Sequence, residues 1–160
     1  MSQSLVFVLT FAAALGSALM AGTFFAFSSF VMRALGRLPP AQGIAAMQSI
    51  NVAVINPWFL GVFLGTAIAC AALGVLSLLG WSEPGAAWGL AGSLLYLGGT
   101  IFVTMRFNVP LNDRLAKADP DSTAGAELWA RYLSDWTFWN HVRTAAPLAA
   151  LACFIYALAK

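Results

Sequence analysis

Residues 134–160 read SDWTFWNHVRTAAPLAALACFIYALAK. From Thr144 to Ala159 the stretch is uncharged and almost wholly apolar. Those sixteen residues make about 24 Å of helix. A membrane-spanning helix needs about 20 residues to cross roughly 30 Å of hydrocarbon. Counting back from Ala159 to that length reaches Asn140, so Asn140, His141 and Arg143 stand at or just inside the hydrocarbon edge. A lipid-crossing helix therefore opens on three strongly polar side chains, one of them the only histidine of the chain.

The rest of the sequence repeats the apolar half of this pattern. Leu5 to Val31, Pro57 to Leu79 and Ala86 to Met105 are also uncharged runs. Of 160 residues 61% are hydrophobic and 9% charged, with mean hydropathy +0.82. Soluble domains carry about 25% charged residues. The expectation is an all-α, transmembrane four-helix bundle forming a single membrane domain over 1–160, with spans about 5–31, 57–79, 86–105 and 140–159. The first run lacks a basic leader and outlasts a signal-peptide core, so it reads as a retained span. A net charge of +2 without a basic run excludes a nucleic-acid partner. Cys70 and Cys153 lie inside apolar runs and imply no disulfide framework.

Basic residues set the orientation. Arg33, Arg37, Arg106, Arg114, Lys117, Arg131 and Arg143 flank the two long connections, and only Lys160 lies on the other side. Seven against one predicts both termini outside and both long connections cytoplasmic, in a bacterial inner membrane.

Polar residues gather in those connections. After span one, Pro39 and Pro40 open a short extra helix. Ile44, Met47, Asn51, Val54 and Ile55 fall on one face of it, which puts Asn51 on an apolar stripe. Asn56-Pro57 reads as an N-cap followed by proline at the first helical position. After span three, Pro110 lacks an amide donor and biases Val109 away from helix, predicting a break near 107–109. Asp121 or Ser122 caps a long fourth helix, about 122–158, that extends into the cytoplasm. Along it Leu128, Trp129, Tyr132, Leu133, Trp136, Trp139 and Asn140 share one side. Trp136, Asn140 and Arg143 are spaced i, i+4, i+7, while His141 points roughly 160° away from Arg143.

Cationic side chains at a span edge are costly unless they face the bundle or snorkel. Arg106, Arg143 and the tryptophans also suit plain interfacial anchoring. Positive-inside topology does not call for the neutral Asn51, Asn108, Asn112 and Asn140, which point to a buried hydrogen-bonded site. No metalloprotease, phosphate-loop, nucleophile-elbow or dinucleotide signature is present, and one histidine cannot supply a bis-histidine haem. No metal and no cofactor are expected.

Three segments, MQSINVAVINPWF, FNVPLNDRLAKADP and WARYLSDWTFWNHVRTAAPLAA, together resemble the anthrone oxygenase-like family of small four-span membrane proteins. The resemblance rests on an asparagine pair before span two, N-x-P-x-N after span three and W-N-H-x-R opening span four. It implies the four-helix fold and a cofactor-free monooxygenase, an oxidoreductase with O2 as co-substrate and a flat, hydrophobic phenolic partner such as an anthrone. The motif positions carried over are Asn51, Asn56, Asn108, Asn112, Trp139, Asn140, His141 and Arg143. An imidazole ordinarily titrates near neutral pH, making His141 the candidate base. Arg143 and Arg106 would hold phenolate charge, Asn140 and the other asparagines would bond substrate oxygens, and Trp58, Trp136, Trp139 and Phe107 would sandwich the ring. Two other readings fit the same residues: a non-enzymatic binder of a quinone or lipid-like ligand, and an accessory membrane subunit fastened by asparagines. Small residues in GLAGSLLYLGG permit close packing within a chain or in a homo-oligomer, with membrane lipid around it.

Overall fold

The computed structural model describes residues 3–160, and among them there is helix and no strand. Four helices are long and apolar enough to cross a membrane: α1 (Ser4–Leu35), α3 (Pro57–Leu79), α4 (Ala86–Ala116) and α5 (Thr123–Leu158). The short α2 (Pro40–Ala53) fills the connection after α1. α1 packs against α3 and α5, and α4 packs against α3 and α5. Sequence neighbours thus pack side by side around a square, with α2 carried in the long connection between α1 and α3. Outward rows such as Phe7, Phe11, Leu15 and Leu19, exposed on α1, face where lipid lies.

Local chemistry sets the helix ends. The Asn56 side chain accepts from the Phe59 amide at 3.0 Å and starts α3, as its place before Pro57 predicts. Ser122 does the same for α5 through the Gly125 amide at 2.9 Å. α2 opens at Pro40 but stops at Ala53. Ile44 and Met47 are buried and Asn51 half-buried, whereas Ile55 lies beyond the helix and is exposed.

The break expected near 107–109 is absent. α4 runs on to Ala116 through two π-helical segments, Leu97–Phe102 and Thr104–Asn108. The second closes with the Val109 amide on the Thr104 carbonyl. The α-turns then restart with Pro110 in their first turn, where a missing amide hydrogen costs nothing. A third π segment, Phe27–Val31, lies in α1.

These wide turns align a polar row. Tyr96, Thr100, Thr104, Asn108 and Asn112 recur every four residues. In an α-helix four residues overshoot one turn by about 40°, so such a row would wind around the helix. π-turns take more residues per turn and pull it back. Tyr96, Thr100 and Asn108 are accordingly all buried, and Thr104 and Asn112 half-buried.

Two apolar clusters divide the interior. One, around Phe63, Leu73, Tyr96 and Phe154, fills the middle of the bundle. The other joins Ile44 and Met47 of α2 to Leu115, Trp129, Tyr132 and Trp136. α2 docks closely because Gly43 has no side chain: a Cβ there would stand 2.8 Å from the Trp129 ring. Gln48 fastens it further, donating to the carbonyls of Leu115 at 2.8 Å and Ala118 at 3.1 Å.

Candidate functional site: a buried arginine in a polar layer

A polar layer separates the two clusters. Its centre is Arg143, 6% exposed, on the inward face of α5. Long helical side chains lean toward the helix N-terminus, so the guanidinium reaches back over Asn140 and Trp136. Nη2 donates to Asn140 Oδ1 at 2.8 Å, and Nη1 to Thr104 Oγ1 at 3.3 Å. Its carbon lies 4.4 Å from the centre of the Phe24 ring and 4.9 Å from that of Trp136. Nε is buried with no hydrogen-bond partner among the described residues.

Every group bonded to this cation is neutral. All six carboxylates of the chain, Glu83, Asp113, Asp119, Asp121, Glu127 and Asp135, are exposed. A buried ion without a counter-charge costs several kcal/mol even after relaxation. Two aromatic faces return about 0.5–2 kcal/mol each, and the two hydrogen bonds add to that. The layer is built to hold positive charge and leaves it unneutralised.

Asn140 is the keystone of the layer and is fully buried. Its Nδ2 donates to the Phe24 carbonyl and to Ser28 Oγ, each at 2.8 Å. Ser28 and Thr144 share a hydrogen bond of 3.0 Å. These bonds tie α1 to α5 and fix the amide so that Oδ1 turns to Arg143. Asn108, also fully buried, donates to the Trp136 carbonyl at 3.2 Å, and its Oδ1 has no partner. The layer therefore offers an unsatisfied donor, Arg143 Nε, and an unsatisfied acceptor, Asn108 Oδ1. Unpaired buried polar atoms are rare in folded proteins and call for an explanation.

A second polar knot lies one step nearer α2. Asn112 Oδ1 accepts from the Tyr132 hydroxyl and from Trp136 Nε1, each at 2.8 Å. The Asn51 amide lies beside Tyr132, and its Nδ2 is buried without a hydrogen-bond partner. Trp136 belongs to both knots through its indole N–H and its ring face.

The fold thus brings together Asn51, Asn108, Asn112, Trp136, Asn140 and Arg143. It leaves the remaining expected residues outside. His141 is exposed on the far side of α5, consistent with its angular distance from Arg143. Arg106 is exposed and lies 5.4 Å from the centre of the Phe107 ring. Phe107 in turn stacks on Trp139 at 3.6 Å between α4 and α5. Trp58 is 88% exposed, and Asn56 is occupied as a cap. Sequence reasoning passed over Phe24, Ser28, Thr104 and Tyr132. The four-residue polar row was the available signal for Thr104.

Among the described residues, no three of the His, Cys, Asp and Glu side chains converge as metal ligands would. A cavity of about 350 Å³ opens at the opposite end of the bundle, between Thr10, Ser77 and Gly85. It does not reach Arg143, which Phe24 and Trp136 cover. A family model described as anthrone oxygenase matches residues 58–153, a stretch containing α3 but for Pro57, all of α4, most of α5 and the whole Asn108–Asn112–Asn140–Arg143 set. No curated protein and no solved structure matches.

Proposed function

The chain belongs to the anthrone oxygenase family, and from that premise we propose that it is a membrane oxygenase that oxidises a flat, hydrophobic, anthrone-like phenolic with O2. The observation that carries this reading is the buried guanidinium of Arg143, which has no counter-charge. Such a group binds a substrate oxygen most strongly as that oxygen becomes negative, which is how a fixed charge lowers a barrier.

The steps follow from the substrate. Arg143 Nε donates to the ring carbonyl, and Asn108 Oδ1 accepts from a phenolic hydroxyl. Loss of a proton from the opposite methylene carbon places negative charge on the carbonyl oxygen, beside the guanidinium. The electron-rich carbon then transfers its electrons to O2 and forms a C–O bond, giving a hydroperoxide. Loss of the second C–H proton with cleavage of the O–O bond leaves a new carbonyl and one water. Substrate and O2 supply every electron, and in this reading no cofactor takes part. Arg143 acidifies the substrate, and water at the α2 end takes the proton. His141, on the outer face, is left out of the proton path.

Entry requires Phe24 or Trp136 to swing aside, and Trp136 is flanked by both wide-turn regions: Phe27 of α1 lies 5.7 Å from it, ring centre to ring centre, and Asn108 of α4 bonds its carbonyl. The exposed Arg33, Arg37, Arg114, Lys117 and Arg131 at one end of the bundle support an orientation with this end cytoplasmic and both termini outside, in a bacterial inner membrane. The test is O2 consumption by purified protein in mild detergent supplied with an anthrone. Wild type consumes O2 faster than the uncatalysed reaction and yields the quinone, and Arg143→Met falls to the uncatalysed rate. Saturable binding of the anthrone without any catalysed O2 uptake would make the protein a binder instead.

A further inference from the structure

We infer that Trp129, Tyr132 and Trp136 form a hole-transfer chain that carries oxidising equivalents away from the Arg143 layer. The geometry of the chain stands alone; the identity of its oxidant rests on the oxygenase reading above.

The three rings lie on one face of α5 and are buried. Trp129 stacks on Tyr132 with centroids 5.6 Å apart and planes 17° apart. Tyr132 stacks on Trp136 at 5.9 Å and 21°. The column ends on the Arg143 guanidinium, 4.9 Å from the centre of the Trp136 ring. It runs from the polar layer to the Gly43 backbone of α2. Electron tunnelling weakens exponentially with distance, and stacked rings leave almost none to cross. Tryptophan and tyrosine are the aromatic side chains that give up one electron most readily. Core packing accounts for volume, apolar surface and a partner for each buried O–H and N–H. It does not ask for three oxidisable rings stacked in series, two of them sharing the one acceptor Asn112 Oδ1. That shared acceptor lets the phenolic proton shift as the electron leaves.

Electron transfer from a carbanion to O2 first gives a substrate radical and superoxide. A pair that separates before forming the C–O bond releases superoxide to the water, where it dismutates to O2 and H2O2, and leaves a substrate radical, which adds a second O2 to become a peroxyl radical. That radical takes one electron from Trp136 and one proton from water, and ends as the hydroperoxide. Trp136 is refilled by Tyr132, and Tyr132 by Trp129. A soluble one-electron reductant of the ascorbate or thiol class restores Trp129. Charge and electrons balance, and the buried site escapes oxidation.

The only histidine of the chain supplies the handle for a test. His141 is exposed and adjoins Asn140, so a ruthenium polypyridyl complex coordinated there injects a hole into this layer on flash oxidation. Trp139→Phe serves as the background, since Trp139 is a competing donor. The expected result is a transient tyrosyl absorption. Tyr132→Phe loses it and leaves a tryptophanyl signal. Trp136→Phe loses the tyrosyl signal with circular dichroism unchanged. No aromatic radical in the background protein, or full tyrosyl yield in folded Trp136→Phe, would overturn the proposal. The flash needs no substrate, so its failure leaves the oxygenase reading standing, and a failed O2-uptake assay leaves the radical signals untouched.

Discussion

Replacing Arg143 by methionine separates a charge stored for chemistry from a charge used to hold helices. Methionine fills nearly the same volume and removes the cation. Relief of the buried charge returns about 2.5–3.5 kcal/mol on the scale for arginine within a membrane helix. Against this stand two hydrogen bonds from a charged donor, to Asn140 Oδ1 and Thr104 Oγ1, of which the longer at 3.3 Å contributes little. Bonds to charged groups are worth about 1.5–3 kcal/mol. The contacts with Phe24 and Trp136 add about 0.5–2 kcal/mol each, partly kept by the methionine sulfur. These terms nearly cancel, and the stranded Asn140 Oδ1 adds about 1–3 kcal/mol, so Arg143→Met loses about 1–3 kcal/mol of unfolding free energy. Asn140→Leu behaves differently. It leaves the cation buried and stripped of its best acceptor, about 1.5–3 kcal/mol, and breaks the two Nδ2 bonds to Phe24 and Ser28, about 0.5–1.5 kcal/mol each. In the double variant the stranded charge is gone, and the loss falls below that of Asn140→Leu alone. The assay is equilibrium unfolding in a graded SDS and mild-detergent mixture, read by tryptophan fluorescence. If Arg143→Met alone is as damaging as Asn140→Leu, and the two losses add, Arg143 is a structural pin and the argument for stored charge fails.

Three further outcomes are expected. Asn112→Ala strands the Tyr132 hydroxyl and the Trp136 indole N–H, each costing about 1–3 kcal/mol, and the same SDS titration reads the loss. Asn56→Ala removes the cap of α3 and costs about 1 kcal/mol, while the rate at saturating anthrone stays at the wild-type value; a collapse of that rate would place Asn56 in the site. His141→Ala keeps its catalysed O2 uptake, and loss of that uptake with the fold intact would return the histidine to the role of base.

Much of this arrangement is legible in the sequence because helices impose a period. Four uncharged runs give four spans. Asn56 and Ser122 stand where caps belong and do cap. Trp136, Asn140 and Arg143, at i, i+4, i+7, meet inside the bundle, and the same angles send His141 outward. Pro110 misled because the cost of a proline depends on the turn before it, and a π-turn is not written in residue preferences. Ser28 was invisible for another reason: it is an ordinary hydroxyl in an apolar run and becomes a partner only when another helix brings Asn140 against it. Thr104 stood in the four-residue polar row, but its partner Arg143 comes from another helix. Proximity in sequence overstated Arg106 and Trp58, whose side chains leave the bundle although their neighbours Thr104 and Phe59 pack into it.

The wide turns of α4 also bear on how this gene tolerates change in length. A π-turn holds one more residue than the α-turn it replaces, so α4 already carries its insertions. Deleting a single codon inside one of these π-turns would relax it to an α-turn and leave the residues beyond it in register. The α-helical turns after Asn108 hold no such slack, and a codon lost between Asn108 and Asn112 would rotate everything beyond it by about 100°. Asn112 would leave Tyr132 and Trp136, while the chain kept its hydropathy and its four spans. Length is thus forgiving where the polar row crosses the wide turns and strict just past them.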